Sequence, residues 1–293
     1  MKNKSTLVCI HVMPNEIEMF VRFMNTYKLC LKHLDENDDV TLKVSLNLNP
    51  ELTDWEKSEL TKEEFIDAFN ECVKDVDKIH KEIVTNTSLW GTTQQKREAI
   101  KLNYDQFIFC DTDIILHQHQ LKHQINASKE MDGMYILSPS LPKWWDESWD
   151  VLVSSSEKIN GDYGDAFKEE YINKTKTQQY TDLSLRMVAP IKFGCGMHTL
   201  YSKEFWDLIG IPESFGGYGP EDTFGMFAAH NAIVTKKYPI KQFVLDGIYI
   251  TEDYTNRTPS FDGKLVTINK KDEFYQNAKS NMDTEMKNFL ERI

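Results

Sequence analysis

The sequence predicts an α/β protein of one domain, a doubly wound, Rossmann-like sheet flanked by helices. Three observations carry this. Residues 6–13 form an apolar strand that ends at Pro14, and Ile17, Phe20, Val21, Met24, Tyr27 and Leu31 then recur at helical spacing, with Asn15 placed to cap that helix. Residues 42–48 (LKVSLNL) read as an alternating second strand, which completes the strand–helix–strand unit that opens such a sheet. Residues 107–110 are an unbroken apolar run without helical period, as in a strand covered on both faces, and they lead straight into Asp111-Thr112-Asp113.

Composition bounds the possibilities. With 293 residues, 40% hydrophobic and 12% aromatic, the chain can bury a sizeable core and is not disordered. A formal net charge of -12 argues against nucleic acid or an anionic membrane as the main partner. The five cysteines (Cys9, Cys30, Cys72, Cys110, Cys195) are scattered and odd in number, so they read as reduced core residues. Residues 7–13 are too short for a secretory signal, and no apolar run approaches transmembrane length. The expectation is a soluble, cytoplasmic protein, in which Asn86-Thr87-Ser88 and Asn173-Lys174-Thr175 carry no weight as glycosylation sites. No internal repeat is present.

The remaining elements follow in order. Thr61-Lys62-Glu63-Glu64 resembles a capping box, and Phe65, Ile66, Phe69, Val73, Val76, Ile79 and Ile83 behind it form one stripe, expected as a core-packing helix. Gly91 marks a turn before a helix over residues 92–102, which carries Gln95, Lys96, Arg97 and Lys101. His119 and His123 sit four apart after the Asp-Thr-Asp, but no Glu lies between them in the zinc-protease manner, so they read as a polar helix face. Residues 134–137 and 187–193 have strand character, and the polar stretch 154–184 reads as a long loop or lid. Residues 194–197 (Gly-Cys-Gly-Met) let main chain approach a ligand closely. A helix over 223–230, a strand over 243–250 and a helical tail with Phe274, Ala278, Met282, Met286, Phe289 and Ile293 on one face complete the chain, the tail packing on the body or on a second copy.

The chemistry centres on the acidic pairs. If strand geometry persists to Asp113, the period of two puts Asp111 and Asp113 on one face, where they repel unless a cation intervenes. Oxygen ligands suit Mn²⁺ or Mg²⁺; the plainer alternative is a turn after a strand. Residues 215–222 (FGGYGPED) supply a glycine-rich turn and a second pair, Glu221-Asp222, for which helix capping is the simpler account. Trp144, Trp145 and Trp149, set among Pro, Ser and Asp, are expected to be exposed and to stack on sugar rings rather than fill a core.

Together these motifs resemble the GT-A class of metal-dependent nucleotide-sugar glycosyltransferases over roughly residues 6 to 255, and the block from Phe193 to Asp222 is similar to galactosyl- and N-acetylgalactosaminyl-transferases. The resemblance implies a GT-A mixed sheet, with a nucleotide-donor half over 1–116, an acceptor half over 117–257 and a helical tail over 258–293. It implies a hexosyltransferase acting on a nucleotide-diphosphate sugar, a UDP-sugar foremost, and a glycan or other hydroxyl acceptor. Asp111 and Asp113 would hold the metal, with Asp111 also meeting donor phosphate, ribose or sugar. Arg97 would contact the donor phosphates, and His11 and Asn47 the nucleoside. Asp222 would be the general base and Glu221 would orient hydroxyls, which implies inversion, with retention the open alternative. Tyr218 joins the tryptophans on the acceptor side. Relatives carry a metal-binding His beyond the Glu-Asp turn; here Asp253 is the stand-in. Pro220 replaces a glycine common in the class and leaves acceptor specificity open. The rivals are a sugar nucleotidyltransferase, weakened because Met13-Pro14-Asn15-Glu16 lacks a glycine-rich basic phosphate loop, and a non-catalytic carbohydrate-binding or scaffold protein.

Overall fold

A computed structural model describes residues 3–49, 60–85, 91–140, 183–188, 191, 197–252, 260–261, 264–265 and 271–293. Strand β1 (Ser5–Val12) is buried along nearly its whole length, as LVCIHV requires. A short 3-10 turn at Pro14–Glu16 leads into α1 (Ile17–Lys32). The Glu16 carboxylate secures this turn by accepting from the Met13 N–H at 3.0 Å. Helix α1 buries Ile17, Phe20, Phe23, Met24, Tyr27 and Cys30, one face of the helix. Strand β2 (Asp39–Asn47) pairs parallel with β1, His11 opposite Ser45. It does not alternate between core and solvent, because Thr41, Lys43 and Ser45 are buried as well as Leu42 and Val44.

The stripe from Phe65 to Ile83 is not one helix. Helix α2 (Lys62–Val73) starts with the expected capping box, Thr61 Oγ1 accepting from Glu64 N–H, and it ends well before Ile79. Ile79 and Ile83 belong to β3 (Ile79–Val84), paired parallel with β2. As the outermost strand, β3 exposes His80, Lys81 and Glu82, which removes the apolar run that marks a central strand.

Helix α3 (Thr92–Ala99) leads into β4 (Gln106–Cys110), which lies parallel to β1. Beyond it come β5 (Ile114–Ile115), α4 (Gln120–Lys129), β6 (Tyr135–Ser140), β7 (Ser184–Val188), β8 (His198–Ser202) and α5 (Lys203–Ile209). Then follow α6 (Glu221–Lys236), β9 (Lys241–Tyr249), β10 (Thr251–Glu252), and a two-stranded ladder of β11 (Ser260–Phe261) and β12 (Lys264–Leu265). The expected single tail helix is two, α7 (Lys271–Ser280) and α8 (Met282–Arg292), divided at Asn281.

Eight strands form one mixed sheet in the order β3-β2-β1-β4-β8-β6-β9-β7. Strands β3 to β4 run parallel, and β8 is inserted antiparallel to both β4 and β6. Alternate residues of the strands feed two cores. Val8, Ile10, Leu42 and Ile108 join residues of α1, α2 and α4 on one face; Leu7, Cys9, Phe107 and Phe109 join residues of α3, α5 and α6 on the other. The Rossmann-like GT-A expectation is the architecture observed. Cys9, Cys30, Cys72 and Cys110 are buried, and the Cys30 thiol donates to the His117 carbonyl at 3.2 Å, while Cys195 lies outside the described residues. No helix among the described residues is long and apolar enough to cross a membrane.

His198, opening β8 opposite Cys110, is fully buried, and neither ring nitrogen has a hydrogen-bond partner. Burial pushes its imidazole down to about 3, so the folded protein holds it neutral while the unfolded chain protonates near 6.5. Its contribution is intact above pH 6.5 and is lost progressively as pH falls toward 3, by up to about 1.4 kcal/mol per pH unit. His198→Leu is therefore expected to flatten the decline of stability between pH 7 and pH 4.5, measured by urea unfolding at each pH. Parallel declines in the two proteins would refute the assignment.

Candidate active site

Strand β4 stops at Cys110, and Thr112 and Asp113 make a turn. The strand geometry expected to align Asp111 with Asp113 does not persist. The turn nonetheless keeps the two carboxylates within each other's field, both half-buried. Two contacts with distant chain fix it. The Asp111 N–H donates to the Met197 carbonyl at 3.1 Å, and β5 pairs antiparallel with β10, Glu252 opposite Ile114. Asp253, the next residue in sequence, lies outside the described residues, as do Trp144, Trp145, Trp149 and the Gly194-Cys195-Gly196 stretch.

The glycine-rich turn docks on the start of α3. The Gly217 carbonyl accepts from the Thr93 N–H at 3.1 Å and the Gln94 N–H at 3.4 Å, so protein oxygen caps this helix end. Thr93 Oγ1 accepts from the Gly219 N–H at 2.7 Å. A Cβ on Gly91 would overlap the Gly217 carbonyl, and one on Gly219 would lie 2.8 Å from Ala278 Cβ of α7. Gly216 adopts φ +61°, a conformation that glycine takes without strain. The glycines thus allow main chain to approach main chain.

This docking delivers Glu221 and Asp222 at the first turn of α6. Glu221 is 3% exposed; one oxygen pairs with Lys96 Nζ at 2.5 Å and the other accepts from Thr93 Oγ1 at 2.7 Å. With both oxygens engaged inside the protein, Glu221 ties α6 to α3 instead of orienting substrate hydroxyls. Asp222 is half-buried and accepts from the Thr223 N–H at 2.6 Å. Burial, then Glu221, raises its proton affinity above the usual carboxylate range; Lys96 and the Thr223 hydrogen bonds oppose this. Burial likewise pushes Asp111 up to about 7 against the pull of Lys96, with Asp113, Asp222 and Glu221 adding to the rise. Asp111 and Asp222, far apart in sequence, thus lie within each other's electrostatic reach.

Arg97 needs correcting. It is 2% exposed and its guanidinium locks the chain ahead of the glycine turn, with Nε on the Ile211 carbonyl at 3.2 Å and Nη2 on Pro212 and Gly216 carbonyls at 2.6 and 3.0 Å. Gln94 and Glu213 occupy Nη1, so its donors serve the fold rather than a phosphate. Lys96, one residue earlier, is the basic residue at the site. The available signal was Ala99, the buried small residue three positions on, whose face Lys96 shares. His11 and Asn47 stand at the carboxyl ends of β1 and β2. His11 Nδ1 is 2.8 Å from Ser45 Oγ, and Asn47 Oδ1 accepts from the Asn49 N–H at 2.9 Å. Tyr218 is half-buried, 6.5 Å from Tyr275 between ring centroids.

The fold defines the class to which the architecture belongs, a GT-A sheet with its acidic residues at the carboxyl edge. Among solved structures, S. aureus TarS residues 1–349 matches with a TM-score of 0.50 and 12% identity, over 84% of this chain and 60% of that one. The same protein in complex with UDP-GlcNAc matches with a TM-score of 0.50 and 12% identity, over 85% and 58%. Mannosyltransferase PcManGT from Pyrobaculum calidifontis, in complex with GDP-Man and Mn²⁺, gives 0.51 and 11%, over 88% and 59%. The likeness at this identity is one of fold, and the chain spans about three fifths of the solved chains it matches. No protein-family model and no curated protein matches the sequence.

Gly91→Ala tests the docking. The added methyl must displace the Gly217 carbonyl, at a cost of about 1–3 kcal/mol typical of overpacking. The expected result is a lower melting temperature with loss of any nucleotide-dependent activity. Wild-type stability would mean that the contact is slack.

Proposed function

We propose that the chain is a glycosyltransferase of the hexosyltransferase type, moving a sugar from a nucleotide-diphosphate donor, a UDP-sugar foremost, to a hydroxyl of a glycan or other acceptor. The observation that supports this most is the convergence on Lys96 of β4, which runs into Asp111, and of the helix start that carries Glu221 and Asp222, with Asp111 and Asp222 each held partly against ionisation. The edge of an open α/β sheet is where such folds bind ligands. Solved proteins of this fold carry UDP-GlcNAc, or GDP-Man with Mn²⁺.

Among the described residues, Asp111, Glu221 and Asp222 act on the Lys96 ammonium and Asp113 adds its charge at Asp111, and this excess of negative charge fits a divalent cation. Among the described residues no three His, Cys, Asp or Glu side chains form a metal cage. A Mg²⁺-type ion is commonly held by one or two carboxylates and completed by phosphate oxygens. Asp111 and Asp113 would hold Mn²⁺ or Mg²⁺, with Asp253 the candidate third ligand. Such an ion, when bound, offsets charge developing on the leaving diphosphate.

The chain's own residues supply the rest. Asp222 takes the proton of the acceptor hydroxyl as that oxygen forms its bond to the anomeric carbon. The bond from that carbon to the diphosphate oxygen breaks, and its electron pair leaves with the nucleotide. A single displacement of this kind inverts the anomeric centre. A carboxylate whose proton affinity is raised by burial is a better base than an ordinary aspartate at neutral pH. His11 and Asn47, at the ends of β1 and β2, are placed to border the nucleoside. Trp144, Trp145, Trp149 and Tyr218 remain the candidates for the acceptor side, and α8 for contact with a second copy.

Two measurements test this. Asp222→Asn keeps shape while removing the basic lone pair, and should lower kcat by about 10²–10⁴-fold with little change in donor Kd. The wild-type rate should fall as pH drops through a pKa above the 3.8 of an ordinary aspartate, since the base must be ionised. Wild-type turnover in Asp222→Asn would place the base elsewhere. Separately, UDP binding by calorimetry should require Mn²⁺ or Mg²⁺, and Asp113→Ala should abolish both that requirement and tight binding. Equal UDP affinity in EDTA and in Mn²⁺ would remove the metal from the scheme.

A further inference from the structure

We infer that Lys96 is the positioning residue of this site, the internal cation shared by the donor-side carboxylate Asp111 and the acceptor-side pair Glu221 and Asp222. The roles named here rest on the transferase reading; the geometry does not. Lys96 is 6% exposed and reaches two elements from α3. Its Nζ is 2.5 Å from Glu221 Oε1 at the start of α6, and 5.4 Å from the ring centroid of Phe109, two residues before Asp111 on β4. One side chain therefore touches the strand that ends in the first acidic pair and the helix that begins with the second.

A pair that only held two helices together would be balanced, one ammonium to one carboxylate. Such a pair can often be exchanged for apolar residues without loss of stability. Here burial works against the ammonium, and the carboxylates of Glu221, Asp111 and Asp222 together outweigh it and keep Lys96 charged. The imbalance makes Lys96 more than a strut. Among the described residues, the charged and polar groups facing Asp222 are Glu221 and Thr223 on its own helix, Lys96 from α3 and Asp111 from the end of β4. Of these only Lys96 stabilises an ionised base by charge. Without it Asp222 would face like charges alone, and Asp111 would lose the same partner.

Lys96→Met alone leaves Glu221 buried and unpaired and is expected to fold poorly, so the informative comparison is Glu221→Gln against Lys96→Met/Glu221→Gln. Neither strands the glutamate. The double variant is expected to melt close to Glu221→Gln, yet to bind UDP in Mn²⁺ about tenfold more weakly by calorimetry, the equivalent of about one pKa unit of lost charge interaction. The Asp222 carboxyl, followed by ¹³C NMR, should titrate about one unit higher in the double variant than in Glu221→Gln. Lys96→Arg, which keeps the charge, should retain most of the affinity. Equal affinity and equal titration in the single and double variants would reduce Lys96 to a fold-holding residue. If the wild type binds no UDP with Mn²⁺, the transferase reading fails, and the Asp222 titration still decides the part of Lys96.

Discussion

The contact on which the site depends is the pressing of the 216–222 turn against the first turn of α3. Two glycine-enabled approaches, Gly91 to the Gly217 carbonyl and Gly219 to the Ala278 methyl, bring the chain segments together, and Thr93 and Lys96 then seize Glu221. Each part constrains the others. The Gly217 carbonyl caps α3 only if Gly91 has no side chain, and Glu221 meets Lys96 only if the turn is seated. Arg97 reinforces the arrangement from the other side by binding the carbonyls of Ile211, Pro212 and Gly216. Breaking the buried Lys96–Glu221 pair from one side would cost about 3–5 kcal/mol, a large share of the stability of an ordinary domain.

This arrangement also sets the two acids of the second pair apart. Glu221 spends its charge inside the protein, on α3, while Asp222 keeps a partly exposed carboxylate at the same helix start. On the proposed mechanism, neighbours in sequence are thus divided between holding the site and acting in it. A helix N-terminus would by itself favour ionised acid. Burial and the adjacent glutamate overcome that preference at Asp222, which is the combination a base needs near neutral pH.

Much of the fold was legible in the sequence because its central strands are apolar on both faces. Residues 6–13 and 107–110 announce themselves in this way, and both carry the sheet. Strand β3 was hidden for the opposite reason. An edge strand needs few apolar residues, and Ile79 and Ile83 happen to continue the spacing of α2 past the turn that ends it. The Asp-Thr-Asp was recognisable as a pattern, but its geometry is a turn between β4 and β5 rather than a continued strand. Lys96 and Arg97 show the limit most clearly. Adjacent residues on a helix point about 100° apart, so which basic side chain meets the site depends on a helix rotation that tertiary packing sets. Arg97 is the chemically better phosphate ligand, and it is spent on carbonyls.

The reversed strand β8 explains why no local motif could have located the whole site. In an all-parallel sheet, both strands beside β4 would bring their carboxyl ends to the edge where Asp111 stands. Because β8 runs antiparallel to β4, the chain enters it at that edge, and Met197 supplies the carbonyl that receives the Asp111 N–H. The same reversal buries His198 opposite Cys110, directly behind the acidic turn, with both ring nitrogens unpartnered. Leaving buried polar atoms without hydrogen bonds costs about 1–3 kcal/mol each. Gln124 on α4 is buried beside that histidine, its Nε2 donating to the His198 carbonyl at 3.1 Å while its Oε1 is in the same condition. A polar layer of this kind is poor material for a core, and local inconsistencies of this sort gather at functional sites rather than at random. The position of the proposed reaction centre is therefore written in strand direction as much as in motif: the edge at Asp111 is served by the end of a parallel strand on one side and by the start of an antiparallel one on the other.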